Sequence, residues 1–296
     1  MIGRVVEIST PGTMVRKARG FLDIKPPDEA PESVPLDALE AVILHRGTLT
    51  SVAAINALLD CGSTVILCDA NEMPAATVVA FKGHHVQSAR MDAQVHASQP
   101  LKKRLWQAVV QAKVERQHDV LTSISHCATL RSYPARVRSG DPDNVEAQAA
   151  RVYWRELFGA EFRRGRFVDP VNSILNYGYA VLRAAMARSV VAAGLHPAFA
   201  LHHRDARNAM ALVDDLMEPY RPIVDVVAYD YAVTLHKGLD RDSKAALAAL
   251  PLTDIMTDAG RSPVRTCMLR TAGSLAQSFE SGTCAIWFPE NLLSWS

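Results

Sequence analysis

Long apolar runs are missing from this chain. No stretch of its 296 residues is apolar over a length that would cross a bilayer, which excludes a membrane-spanning helix. Cysteine is scarce and unpaired in pattern. Cys61, Cys68, Cys127, Cys267 and Cys284 make an odd number and contain no CxxC pair, so free thiols in a reducing cytoplasm are expected. A secretory leader is not expected either, because Met1-Ile2-Gly3-Arg4 leads straight into a strand pattern. There is no internal repeat and no low-complexity segment. Net charge is also small, at +1, and does not announce a nucleic-acid binder. The average conceals a local skew. Residues 101–140 hold Lys102, Lys103, Arg104, Lys113, Arg116, Arg131, Arg136 and Arg138 against only Glu115 and Asp119. Such a stretch either attracts phosphates or forms a solvated helix face.

What is present is enough apolar sequence for a sizeable core: 49% hydrophobic against 21% charged residues excludes a disordered chain. The first third reads as β-rich. Arg4–Ile8, Ala41–Leu44, Thr64–Cys68 and Thr77–Phe81 are short apolar runs bounded by charges or turn residues. Between the middle two, Ser51 can cap a short helix that Gly62 follows. Pro26 to Pro35 reads as a loop or hairpin tip. From Met91 onward the patterns turn helical. One helix opens near Pro100 and runs through Leu105, Val109 and Ala112. Another opens at Asp169-Pro170, with Asp as N-cap and Pro in the first turn. Its apolar stripe is Val171, Ile174, Leu175, Gly178, Val181, Leu182 and Ala185. The expected fold is α+β, with a small β-rich domain over 1–86 and a larger all-helical domain over 87–296.

Three places carry chemistry. Glu146 lies in the first turn of a helix with an apolar face of Ala150, Tyr153, Trp154 and Leu157. Asp143 and Glu146 also fit a capping box, in which the Glu merely bonds back to the cap. His202 and His203 follow the apolar run Ala198–Leu201, where the chain leaves the core; adjacent residues cannot both face one site, so at most one is a ligand. Asp215 and Glu218, three apart, share a helical face. Like charges there need a cation, and either Arg221 or a bound metal offers one. Glu, His and Asp supply one imidazole nitrogen and several hard oxygens, a mixture suited to Mg²⁺ or Mn²⁺. A fourth feature is a polar ridge of Asn172, Asn176, Tyr179 and Arg183, opposite the apolar stripe. It suits contact with bases and phosphates or simple solvation. Arg163, Arg164 and Arg166 form a basic cluster nearby.

Four segments, taken in order, resemble one family. They are Val145-Glu146-Ala147-Gln148-Ala149-Ala150-Arg151-Val152-Tyr153-Trp154; Asp169-Pro170-Val171-Asn172 through Tyr179; Gly194-Leu195-His196-Pro197 through His203; and Asp215-Leu216-Met217-Glu218-Pro219-Tyr220-Arg221-Pro222. The chain resembles the CRISPR-associated spacer-acquisition integrases, the Cas-one proteins, and specifically their type II branch. The resemblance implies a metal-dependent DNA endonuclease and integrase that joins the 3′-hydroxyls of new spacer DNA to repeat ends. It implies Glu146, His203 and Asp215 as catalytic and metal-binding residues, with Asn172 in support and with Mg²⁺ or Mn²⁺ as the ion. The implied partners are double-stranded DNA (spacer fragment and CRISPR repeat) and a second copy of the chain, paired through a homodimerising β-domain. A small Cas-two protein, and in the type II branch an effector nuclease and an accessory protein, complete the set. Two rival readings remain: a metal-dependent phosphoesterase on another substrate, and a non-catalytic scaffold that binds DNA ends.

Overall fold

The computed structural model describes residues 4–79, 85–126, 128–165, 169–203 and 207–290. It separates into two compact units, Met1–Lys82 and Gly83–Ser296.

The first unit holds two four-stranded sheets. One has the order β1-β5-β7-β8, from β1 (Arg4–Ile8), β5 (Leu39–Leu44), β7 (Thr64–Cys68) and β8 (Pro74–Val78). Its first three strands run parallel, with Val42 opposite Val65, and β8 returns antiparallel. The other has the order β4-β3-β2-β6, from β2 (Met14–Ala18), β3 (Phe21–Lys25), β4 (Glu32–Pro35) and β6 (Leu49–Thr50). Arg19 turns β2 into β3 in the left-handed region, at φ 54°. Alternation then sends Val15, Leu22 and Ile24 inward, where they meet Val42, Leu44 and Val65 of the first sheet in one core. Helix α1 (Val52–Asp60) adds Ala54, Ala57 and Leu58, and the Ser51 hydroxyl caps it by accepting from the Ala54 amide. The strand expected at Thr77–Phe81 lies earlier, at Pro74–Val78. Asp69 explains the shift: its carboxylate accepts the amides of Asn71 and Met73, which closes the turn and starts the return strand at Pro74. Phe81 lies outside the described residues.

The second unit is built on helices α2 (Gln87–His96), α3 (Gln99–Ser125), α4 (Val145–Phe158), α5 (Pro170–Ala192), α6 (Ala211–Met217), α7 (Arg221–Tyr229), α8 (Arg241–Ala249) and α9 (Val264–Ser281). It also carries a two-stranded hairpin, β9 (Asp254–Thr257) and β10 (Gly260–Pro263). Helix α5 runs through the centre. Asp169 caps it as the sequence implies, accepting the Asn172 amide, and its apolar stripe is buried from Ile174 to Leu182, with Val171 and Ala185 half-buried at its ends. Gly178 is the point of closest approach: a Cβ there would stand 2.5 Å from Val224 Cγ1 and 2.8 Å from Leu247 Cδ2. Its lack of a side chain lets α5 press against α7 and α8. Among the described residues no helix is long and apolar enough to cross a membrane.

Candidate active site

Helix α4 begins with unusual capping. Asn144 sits in the left-handed region at φ 52° and accepts the Ala147 amide. The Asp141 carboxylate takes the amides of Val145 and Glu146. Asp143 turns away to pair with Arg138 at 2.7 Å. The Asp143–Glu146 capping box is therefore not formed. With its cap duty done by others, the Glu146 side chain extends to Lys113 of α3, Oε1 to Nζ 2.6 Å.

Lys113 makes a second contact of the same length. Its ammonium lies 2.6 Å from Glu218 Oε2, while Arg221 holds Glu218 Oε1 at 2.9 Å. Glu218 follows directly on α6, in a single 3₁₀ turn, and is buried. Burial works to raise its carboxyl pKa, but Arg221 and Lys113 outweigh it and leave it below the usual carboxylate range. Burial likewise works against the Lys113 charge, and Glu218 and Glu146 outweigh it, leaving the ammonium pKa raised.

Asp215, on α6, is wholly buried. Its Oδ2 accepts the amides of Leu201 and His202 at 2.7 and 3.0 Å, and its Oδ1 bonds His203 Nδ1. Three donors thus converge on one carboxylate, and Nε2 is the nitrogen His203 has left for other use. The bond to Asp215 lifts the imidazole above its ordinary pKa against partial burial, and Asp215, Glu218 and Glu146 add to the lift by charge. The neighbouring histidine has a different task. His202 stacks flat on the buried Trp106 of α3, with centroids 4.5 Å apart, and His203 meets the same indole edge-on at 5.3 Å.

The structure therefore gathers Glu146, His203 and Asp215 into one region, together with Glu218, Lys113 and Arg221. Among the described residues no three His, Cys, Asp or Glu groups converge into a ready metal cage. The cation standing between Glu146 and Glu218 is an ammonium. Of the basic residues in 101–140, Lys113 and Arg116 turn inward, Arg116 donating to the Pro289 carbonyl. Arg104, Arg131, Arg136 and Arg138 stay exposed.

Comparison with known proteins decides the family. Residues 6–234 match the model described as CRISPR associated protein Cas1. The chain belongs to the Cas1 family. It is 39% identical over 198 residues to a CRISPR-associated endonuclease Cas1 of Neisseria meningitidis, covering 66% of this chain and 65% of that relative. In fold it is similar to a casposase bound to integration product, with TM-score 0.81 and 17% identity over 99% of this chain and 94% of the other. It is also similar to part of a Cas6-RT-Cas1–Cas2 complex, with TM-score 0.73 and 16% identity over 97% of this chain and 36% of that one.

In this Cas1 chain the polar ridge on α5 is buried at Asn172 and Tyr179 and only half-buried at Asn176 and Arg183. Asn172 is 1% exposed and staples the preceding loop: it accepts from Arg164 and the Gly165 amide and donates to the Arg163 carbonyl and to Asp169. Arg166 lies outside the described residues. Arg183 pairs with Asp214 at 2.6 Å. Tyr179 donates to Asp225 of α7, as does Tyr153 of α4, and the guanidiniums of Arg164 and Arg221 lie 5.1 and 5.0 Å from the Tyr179 ring centroid. One carboxylate thereby ties α4, α5 and α7 together behind Arg221.

Burial pushes the Asp225 carboxyl up to about 7, against the two tyrosine hydroxyls and the two arginines. The native state then holds a proton that an unfolded Asp releases near pH ~3.9. Stability from this group is complete below that value and is lost as pH rises through about 7. Thermal unfolding between pH 5 and 8 is expected to show wild type losing roughly 2–4 kcal/mol relative to Asp225→Asn. Parallel pH profiles for the two proteins would refute this assignment.

Proposed function

We propose that this Cas1 protein is a metal-dependent DNA endonuclease and integrase of CRISPR adaptation, joining the 3′-hydroxyl of spacer DNA to the end of a repeat. The observation that carries the reading is the pair Glu146 and Glu218, drawn to one cation beside an imidazole whose other nitrogen is fixed by Asp215. Family membership and the endonuclease name of the Neisseria relative support it.

The donor set fits a hard divalent ion, Mg²⁺ or Mn²⁺: two carboxylates and one imidazole. Lys113 acts as a stand-in, since its charge already occupies the space between the acids. Glu146, Glu218 and His203 Nε2 would hold the ion. When bound, it would polarise a phosphodiester oxygen and stabilise charge in the transition state. The sequence alone pointed to Asp215 as the third ligand. We assign it instead to positioning, because both its oxygens are spent on Leu201, His202 and His203. Asp215 then fixes which ring nitrogen of His203 faces the carboxylates. Arg221 holds Glu218 in place and Asp225 holds the helices behind it.

In the joining step the 3′-oxygen of the incoming strand forms a bond to the repeat phosphorus as the bond to the repeat's own 3′-oxygen breaks. The proton leaves the attacking hydroxyl and one reaches the departing oxygen, so no covalent protein intermediate is needed. The exposed arginines at 131, 136 and 138 would meet backbone phosphates. We extend the reading to assembly with Cas2, as the complex similar in fold suggests, and, from the sequence resemblance, to a homodimer formed through the β-rich unit. Membership of the type II branch, with its effector nuclease and accessory protein as further partners, rests on the four sequence segments.

The test is an in vitro joining assay with labelled DNA, purified Cas2 and Mg²⁺ or Mn²⁺, run with and without chelator. Joined product is expected only with the free ion. Equal joining in excess chelator would overturn the metal-dependent reading.

A further inference from the structure

Lys113 is more than a counterion for a buried acid. Glu218 already has Arg221, so the lysine is a second cation on the same carboxylate. Among the described residues it is also the partner of Glu146, which Asp141 and Asn144 have freed from capping. Its backbone cannot shift easily. Lys113 lies on α3 among the buried Trp106, Val109, Val110 and Val114. Only its four-carbon stem is free to move.

We propose that Lys113 is an exchangeable internal cation. It preassembles Glu146 and Glu218 in the ion-free protein and must be displaced before a divalent ion can bind between them. The proposal rests on the metal-dependent reading above and adds a competitor built into the chain. The physical reason is exclusion. A Mg²⁺-sized ion needs carboxylate oxygens at about 2.0–2.1 Å. The ammonium sits 2.6 Å from one oxygen of each acid, in the space such an ion requires. Two cations at that separation repel, and the acids cannot serve both. Without the lysine, Arg221 alone would offset the two carboxylates, so the ion-free site would carry excess negative charge and draw a cation more strongly. Lys113 therefore lowers the cost of the empty site and weakens ion binding.

The experiment measures Mn²⁺ binding and thermal unfolding for the full-length wild type, Lys113→Met and Glu218→Gln proteins. In chelator, Lys113→Met should unfold at a lower temperature than wild type. It should bind Mn²⁺ at least tenfold more tightly, and Mn²⁺ should raise its unfolding temperature by more than it raises that of wild type. Lys113→Arg, which keeps the charge on a bulkier head, should bind Mn²⁺ no more tightly than wild type, a comparison that holds even if the methionine variant folds poorly. Equal or weaker Mn²⁺ binding by Lys113→Met, or tighter binding by Lys113→Arg than by wild type, would overturn the proposal. Failure of the underlying reading looks different: Glu218→Gln would then bind Mn²⁺ as wild type does.

Discussion

Glu218→Gln is expected to abolish strand joining, whereas Asp215→Asn should leave a measurable remainder. The glutamine keeps the shape of the side chain but removes the charge that Lys113 and Arg221 now balance. If Glu218 touches the ion, the loss is that of a direct electrostatic stabiliser, on the order of 10³-fold in rate. Asp215 acts one step back, through His203 and through two backbone amides. Weakening such a support costs roughly 10–100-fold in metal affinity or activity. The asparagine also leaves a buried donor short of an acceptor, so about 1–3 kcal/mol of stability should go with it. Joining rates and unfolding temperatures of both variants, measured side by side, separate the roles. An inert Asp215→Asn beside an active Glu218→Gln would return the ligand role to Asp215.

A loss of stability of at least about 3 kcal/mol is expected for Gly178→Val, near the upper end of overpacking effects. Even the first added carbon would meet Val224 and Leu247 at distances that real Cβ atoms do not show. Relief requires α5 to back away from α7 and α8. In a unit of this size the melting temperature should fall by roughly 6–12 °C. Helix α7 begins with Arg221, so the displacement also disturbs the partner of Glu218. A melting temperature within 2 °C of wild type would show that the helices can part without cost.

Much of this was legible in the chain. The change from short apolar runs to helical patterns was readable, and Ser51 and Asp169 cap the helices they announce. Other features depended on distant residues and left little local trace. Lys113 reads as one more cation of a basic stretch, because nothing within α3 says that Glu146 and Glu218 close over it. The sharing of a face by Asp215 and Glu218 was readable from their spacing. Which of them is consumed by backbone amides was not, since Leu201 and His202 arrive from a separate loop. Asp143 looked like a cap for Glu146, but the left-handed Asn144 reverses the chain and passes that task to Asp141. The ridge on α5 looked like a wet surface because its residues are polar. In fact three of its four residues are matched by polar partners, Asn172 by a loop, Tyr179 by Asp225 and Arg183 by Asp214.

The threefold grip of Asp215 on the Leu201–His203 loop has one more consequence. That half of the centre is moulded by the polypeptide itself and does not wait for an ion to give it form. If the proposed ion binds there, stripping and reloading it should leave the outline of the histidine side unchanged, while the carboxylate side answers to Lys113.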